Sequence, residues 1–253
     1  MEDAMQNKDL PYHLTSRTED LRKELNTSST VHGELSWLFV PEQPHGKICL
    51  VAHIDTVHSE DWATKRLVYE NGVIRSPQGL GADDRAGVWA ALELYRISPL
   101  EYQPYVLLTD KEEVGCIGAR EAAMLFGSLF FSPAITYFIE LDREGSRDAV
   151  FYCNEPVEFR YYVKSFGFTD TQGTSSDIRV LGPVAGKCAV NLSTGYYDAH
   201  TKTETLCVSE LHVTMEKVRE MIRDNDVQQR VWRNVSGGII SRRTAANQSL
   251  AER

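Results

Sequence analysis

Residues 48–52 are apolar without a break, the pattern of a strand covered on both faces, and the run delivers His53-Ile54-Asp55 at its end. Tyr105–Thr109 and residues 134–141 repeat that pattern, followed by Asp110-Lys111-Glu112-Glu113-Val114-Gly115 and by Asp142. Residues 187–192 predict a further strand. Between these runs the apolar spacing lengthens to that of a helix, over residues 88–97, stopped by Ser98-Pro99, and over residues 117–126. The last helix has the clearest period, with Leu211, Met215, Val218 and Ile222 separated by four, three and four residues. A short helix is predicted over residues 18–25, and Ser175-Ser176-Asp177 is placed to cap another that reaches Leu181. Residues 34–40 read as a strand, and residues 66–69 and 73–75 as the arms of a hairpin around Asn71-Gly72. More alternating strands are expected over residues 150–153 and 157–163.

Strands alternating with helices predict an α/β fold with a mixed, mostly parallel central sheet and helices on both faces. In such sheets functional groups gather beyond the carboxyl ends of the strands. Three predicted strand ends carry His53 with Asp55, Glu112 with Glu113, and Asp142. Asp83 opens a helix after the loop Gly79-Leu80-Gly81-Ala82, and His200 follows a fourth strand. Random scatter would not place them so. A single catalytic domain over residues 1–234 is expected, with residues 1–33 peripheral and residues 235–253, rich in Ser, Gly, Arg and Ala, a flexible tail.

Composition narrows the classes. A net charge of −9 and no basic, aromatic-studded stretch speak against nucleic acid and anionic membrane as partners. No apolar run approaches the roughly 18 residues of a membrane span, and no charged-then-apolar signal opens the chain, so a cytoplasmic location is expected. The five cysteines are scattered through apolar segments without a Cys-x-x-Cys and read as reduced core thiols. Cys116, although close to the acidic pair, reads as packing.

His53, Asp83, Glu113, Asp142 and His200 supply two imidazoles and three carboxylates, the inventory of a hydrolase with two divalent ions and a shared carboxylate. Glu112 is then left beside a ligand, where a base could take a proton from an attacking water. Each residue also has a simpler reading. Asp83-Asp84 could cap the following helix, Glu112-Glu113 could be a solvated turn, Asp142 could join a surface ion network, and His200 could be a loop histidine. It is their joint order at strand ends that points to a metal centre.

Six segments, in order, resemble the co-catalytic zinc exopeptidase clan, which includes leucyl-type bacterial aminopeptidases, peptidase T and the tetrahedral aminopeptidases. They are Ala52-His53-Ile54-Asp55-Thr56-Val57, Gly79 to Gly87 with Asp83-Asp84 inside it, Thr109 to Gly115, Glu140-Leu141-Asp142, Gly173-Thr174-Ser175-Ser176-Asp177, and His200-Thr201-Lys202-Thr203-Glu204. The resemblance implies that His53 and Asp142 hold one metal, Glu113 and His200 the other, and Asp83, four residues before Gly87, bridges them. It places Glu112 as general base, acting on a bridging water, and Asp55 behind His53. It leaves Asp177 as a recurring acidic position, with the substrate amine as one role. The stretches from His53 to Asp83 and from Asp142 to Gly173 are too short for the lid or dimerisation domain that many relatives insert.

The reading that follows is an exopeptidase, an aminopeptidase first, acting on a small peptide or amide with two divalent ions; zinc suits the donor set, and cobalt or manganese could replace it. A deacylase or a glutaminyl cyclase-like enzyme would use the same metal set. A non-catalytic binding module would be expected to have lost a ligand or the base, and every such position is filled. Arg143, Arg147 and Arg179 are candidate contacts for a substrate carboxylate.

Overall fold

The computed structural model describes residues 9–27, 31–58, 65–224 and 232–233. The long apolar runs form the centre of an eight-stranded sheet. β1 (Val31–His32), β2 (Ser36–Phe39), β3 (Lys47–His53), β6 (Tyr105–Thr109), β7 (Ile135–Arg143), β8 (Asp148–Val150), β9 (Thr169–Thr171) and β10 (Ala189–Ser193) lie in the order β1-β2-β6-β3-β7-β10-β8-β9. The four central strands, β6, β3, β7 and β10, are mutually parallel, while β1, β2 and β8 join antiparallel. A second sheet, antiparallel and unforeseen in the sequence, joins the hairpin β4 (Val68–Glu70) and β5 (Val73–Arg75) to β11 (Tyr196–Tyr197) and β12 (Thr205–Cys207). Asn71 and Gly72 turn this hairpin with φ of 52° and 80°, the left-handed pair that a two-residue turn requires.

The two-residue period of the strands divides the core between the two faces. Leu50 and Ala52 of β3, Val106 and Leu108 of β6, and Val190 and Leu192 of β10 point into the larger core. That core is covered by α1 (Leu10–Thr15), α2 (Thr18–Thr27), α3 (Ala82–Ile97), α5 (Val157–Ser165) and α7 (Val208–Arg223). Cys49, Val51, Tyr105, Leu107 and Ala189 point the other way, against α4 (Ile117–Phe131) and α6 (Ile178–Ala185). None of the described helices is long and apolar enough to cross a membrane.

Three expectations need correction. Residues 157–163, expected as a strand, are helix α5. Their β-branched and aromatic side chains imitate a strand, but burial falls on Phe159 and Val163, one helical turn apart. The strand expected at 150–153 is β8 and ends at Val150. The N-terminal segment, expected to be peripheral, buries Leu14, Leu21 and Leu25 completely in the larger core. Arg85, itself buried, donates to the carbonyls of His13 and Ser16 and to the Thr18 hydroxyl, tying α1 and α2 to α3. The expected tail lies outside the described residues. Between Asp142 and Gly173 the chain forms only the end of β7, then β8, α5 and β9, with no inserted domain.

Candidate metal centre

Parity along the strands gathers the site. His53 continues the face of Cys49 and Val51, and Glu140 and Asp142 continue that of Phe138, so these groups leave the strand ends on the side covered by α4 and α6. His53 Nε2 lies 3.2 Å from Asp83 Oδ1 and 3.5 Å from Asp142 Oδ1. The other Asp83 oxygen, Oδ2, is 3.1 Å from His200 Nε2, which is also 3.1 Å from Glu113 Oε2. Asp83 therefore stands between two imidazoles with one oxygen facing each. Oxygen or nitrogen atoms of His53, Asp83 and Glu113 fall within 4.8 Å of one another, as do those of His53, Asp84 and Asp142. Glu113 Oε1 is buried with no hydrogen-bond partner, as an atom reserved for a cation would be.

Buried acceptors hold these groups in place. Asp55 Oδ1 lies 3.3 Å from His53 Nδ1, and the two Asp55 oxygens accept the N–H groups of Glu112 at 3.1 Å and Glu113 at 3.2 Å. His53 Nδ1 also lies 3.1 Å from the Asp55 main-chain carbonyl, so this one residue orients the imidazole and shapes the loop that carries both glutamates. Asp84, the neighbour of Asp83, accepts from the N–H of His53 and of Gly87, both at 3.1 Å, and so pins the acidic loop to β3. Gly87 is needed there: a Cβ would stand 2.0 Å from the Leu141 carbonyl oxygen. Glu204 is fully buried and accepts from the N–H of Gly81 at 2.6 Å and of Asp83 at 2.9 Å, with His58 Nε2 2.8 Å away. Asn191 brackets Asp142, donating to its carbonyl at 2.9 Å and accepting its N–H at 3.0 Å. The Tyr196 hydroxyl donates to Asp142 Oδ1 at 3.2 Å.

Asp84, Glu204, Asn191 and Tyr196 support the candidate centre without standing out as site residues in the sequence. Glu204 at least closes the His200-to-Glu204 segment that resembles the exopeptidases. Asn191 and Tyr196 carry no local signal, because their partners are far away in the chain.

Crowding and burial shift the titration of these groups. Burial and the Asp83 carboxylate push Glu113 up to about 7. Burial, then Asp83, raises Asp142 well above the usual carboxylate range, and burial with Asp142 does the same to Asp84. For His53 burial favours the neutral ring, but the carboxylates of Asp142, Asp55 and Asp83 outweigh it and raise the group. The hydrogen bond to Asp83 lifts His200 to about 9. Asp83, held between the two imidazoles, is shifted down instead, and a divalent cation would relieve the repulsion among the other carboxylates. Two imidazoles and three carboxylates are a donor set that fits such cations.

Above the cluster opens a cavity of about 480 Å³, lined by Asp83, Glu112, Glu113, Asp142 and His200, with Arg143 on its wall. Arg143 Nε is buried without a partner, and one terminal nitrogen is 3.5 Å from Asp148 Oδ2. Asp177, expected near the substrate, does not line the cavity. It is fully buried, accepts the Thr109 hydroxyl on Oδ2 and donates its N–H to Glu140 Oε1 at 3.0 Å. Nor does its side chain cap α6. Arg179 donates to the Thr174 carbonyl, and Arg147 lines a separate depression with Lys217.

Residues 37–192 match the family described as Peptidase family M28. The chain belongs to peptidase family M28. As a member it is a metal-dependent hydrolase of the exopeptidase kind, and the resemblance to the zinc exopeptidase clan is confirmed. Solved structures share its fold. Aminopeptidase PepT from Bacillus cereus is 16% identical, over 84% of this chain and 90% of that one, with a TM-score of 0.55. An aminopeptidase from the archaeon Desulfurococcus kamchatkensis is 14% identical over 89% and 97%, with a TM-score of 0.59. The Pyrococcus horikoshii TET1 peptidase is 14% identical over 81% and 93%, with a TM-score of 0.55. No curated protein matches the chain. The mixed, mostly parallel sheet flanked by helices is the architecture expected from the sequence of this M28 peptidase.

Proposed function

We propose that this M28 peptidase is an aminopeptidase acting on small peptides with two divalent ions, zinc being the metal its donors suit best. The observation that carries the reading is Asp83, whose two oxygens lie 3.2 Å and 3.1 Å from the Nε2 atoms of His53 and His200. His53 and Asp142 would hold one ion, Glu113 and His200 the other, and Asp83 both. When bound, the ions supply Lewis acidity toward the scissile carbonyl and lower the pKa of the attacking water.

The rest is the work of the chain. Glu112 lines the cavity next to these donors without itself meeting either imidazole, and its N–H is anchored on Asp55. From there it accepts the proton of the attacking water and hands it to the leaving amine. Asp55 fixes the His53 tautomer by accepting on the Nδ1 side, which leaves Nε2 to face the ion. Arg143 offers its guanidinium to a substrate carboxylate. A cytoplasmic location is part of the proposal, supported by five cysteines of which none is in a disulfide.

Metal content of the purified protein, measured beside Asp83→Ala, tests the centre. Two ions per chain, falling to near none in the variant, are expected; no retained metal after incubation with zinc, cobalt or manganese would sink the reading. A panel of aminoacyl, N-acyl and glutaminyl substrates tests the chemistry. Turnover of aminoacyl amides is expected, and turnover confined to either other class would move the chain to the deacylases or to the glutaminyl cyclases.

A further inference from the structure

We infer a second metal site in this chain, made by Glu112, Cys116 and Asp177 behind the cavity wall, that takes a thiophilic divalent cation and silences the enzyme by engaging Glu112. The inference rests on the reading of Glu112 as the proton-transferring base.

The site is built by a tight turn. The N–H groups of Gly115 and Cys116 both donate to the Glu112 carbonyl, at 2.8 Å and 2.9 Å, and Cys116 adopts a left-handed φ of 54° at the start of α4. The turn brings Cys116 Sγ to 3.5 Å from Glu112 Oε1. From the other side comes Asp177, immediately before α6, the residue that the sequence singled out and the cavity does not use. One ligand atom each of Glu112, Cys116 and Asp177 lies within 4.8 Å of the others.

Asp177 supplies the independent sign of a ligand. Its side chain is fully buried, Oδ2 accepts from Thr109, and Oδ1 has no hydrogen-bond partner. A buried carboxylate oxygen without a donor is unfavourable unless a proton or a cation sits on it, and burial pushes Asp177 up to about 7. The simplest alternative is a purely hydrogen-bonded cluster. In it the only thiol proton goes to Glu112, with Ser175 Oγ 3.9 Å from the sulfur, and Asp177 Oδ1 still lacks a donor. A cation satisfies all three groups at once.

The donor chemistry selects the ion. One sulfur and two carboxylates favour zinc, cadmium or cobalt, whereas magnesium and calcium prefer oxygen alone. On binding, the S–H bond of Cys116 breaks, a sulfur–metal bond forms, and the proton leaves to solvent. The ion then occupies the Glu112 carboxylate, which can no longer accept a proton from water. Too much of the metal that activates the enzyme would therefore shut it down.

Cobalt titration of the metal-free full chain tests the site. The first two equivalents should fill the sulfur-free centre and restore activity; a third should bring a near-ultraviolet thiolate-to-cobalt charge-transfer band. Saturating zinc should then lower activity by about 100-fold or more, the share that a general base contributes. In Cys116→Ser the band should vanish, and the inhibition, measured against that variant's own activity at two equivalents, should weaken. Asp177→Asn is a second variant with the same expectation. Two bound equivalents and activity, with no band on further addition, overturn the second site and leave the proposed function standing. A band with the first equivalents, a band that survives in Cys116→Ser, or a filled site without inhibition also overturns it. Failure to bind the first two equivalents, or binding without turnover, is instead the failure of the proposed function.

Discussion

The two halves of the candidate metal centre are built differently. His53 and Asp142 come from the ends of adjacent parallel strands, and the His53 side chain is 1% exposed. Each is gripped again, His53 by Asp55 and Asp142 by Asn191 and Tyr196. Opposite them, Glu113 and His200 come from loops. The His200 side chain is 53% exposed and its backbone sits at φ of 64°, in the left-handed region that few residues other than glycine visit. Donors carried on strands are held more rigidly than donors carried on loops. The first ion should therefore be held tightly and the second exchange readily. Asp83, which faces both, is where the halves meet.

Asp83→Ala should have the largest effect, because it removes the one group common to both halves. Both ions should be lost and activity should fall to background, as read by metal content and turnover. Loss of only one ion would mean that the halves are independent. Glu112→Gln should separate chemistry from binding. It should lower kcat by about 10²–10⁴-fold while metal content stays unchanged, if the residue acts as the proposed base and not as a ligand of the primary centre. Near-normal turnover in that variant would remove the role assigned to it.

The two histidines test the asymmetry directly. His53→Ala should lose both tight binding and stability, because it leaves buried Asp142 and Asp83 without their cationic partner even in the metal-free protein. Breaking a buried pair from one side costs about 3–5 kcal/mol. His200→Ala gives up ion pairs with Asp83 and Glu113, but from a half-exposed ring, so it should cost metal-free stability less than His53→Ala and keep the first ion while losing the second. Denaturant melts of both metal-free variants, with metal content per chain, decide the matter. Equal losses in the two would erase the distinction between the halves.

The tight half was the more legible in the sequence. Continuous apolar runs announce the central strands, β6 begins and ends where its apolar run does, and His53 and Asp142 follow as strand-end residues. The loop half became legible only through joint order, since Glu112-Glu113 alone resembles a solvated turn. What stayed hidden depends on long-range contact. Glu204 secures Asp83 across 121 residues, and nothing near Glu204 says that its carboxylate is buried. Asp177 failed in the opposite sense, because a short motif shows that an acid recurs there but not that helix α6 turns it inward. In residues 157–163, packing on one helical face overrides the local strand preference of Val, Phe and Tyr.

Asn191→Ala makes the finest cut between the halves. Asn191 touches no donor atom of Asp142; it holds the backbone on which that carboxylate is carried, through the carbonyl at 2.9 Å and the N–H at 3.0 Å. Its loss frees Asp142 to rotate without removing a charge or opening the second half. Removing such a support weakens metal binding by about 10–100-fold, less than removing a ligand. The weakening should fall on the tight ion alone, so competition with a chelator should show the two release steps drawn together. A variant in which the labile step moves and the tight one does not would show that the rigidity of the first half comes from the strands themselves and owes nothing to the asparagine that clasps them.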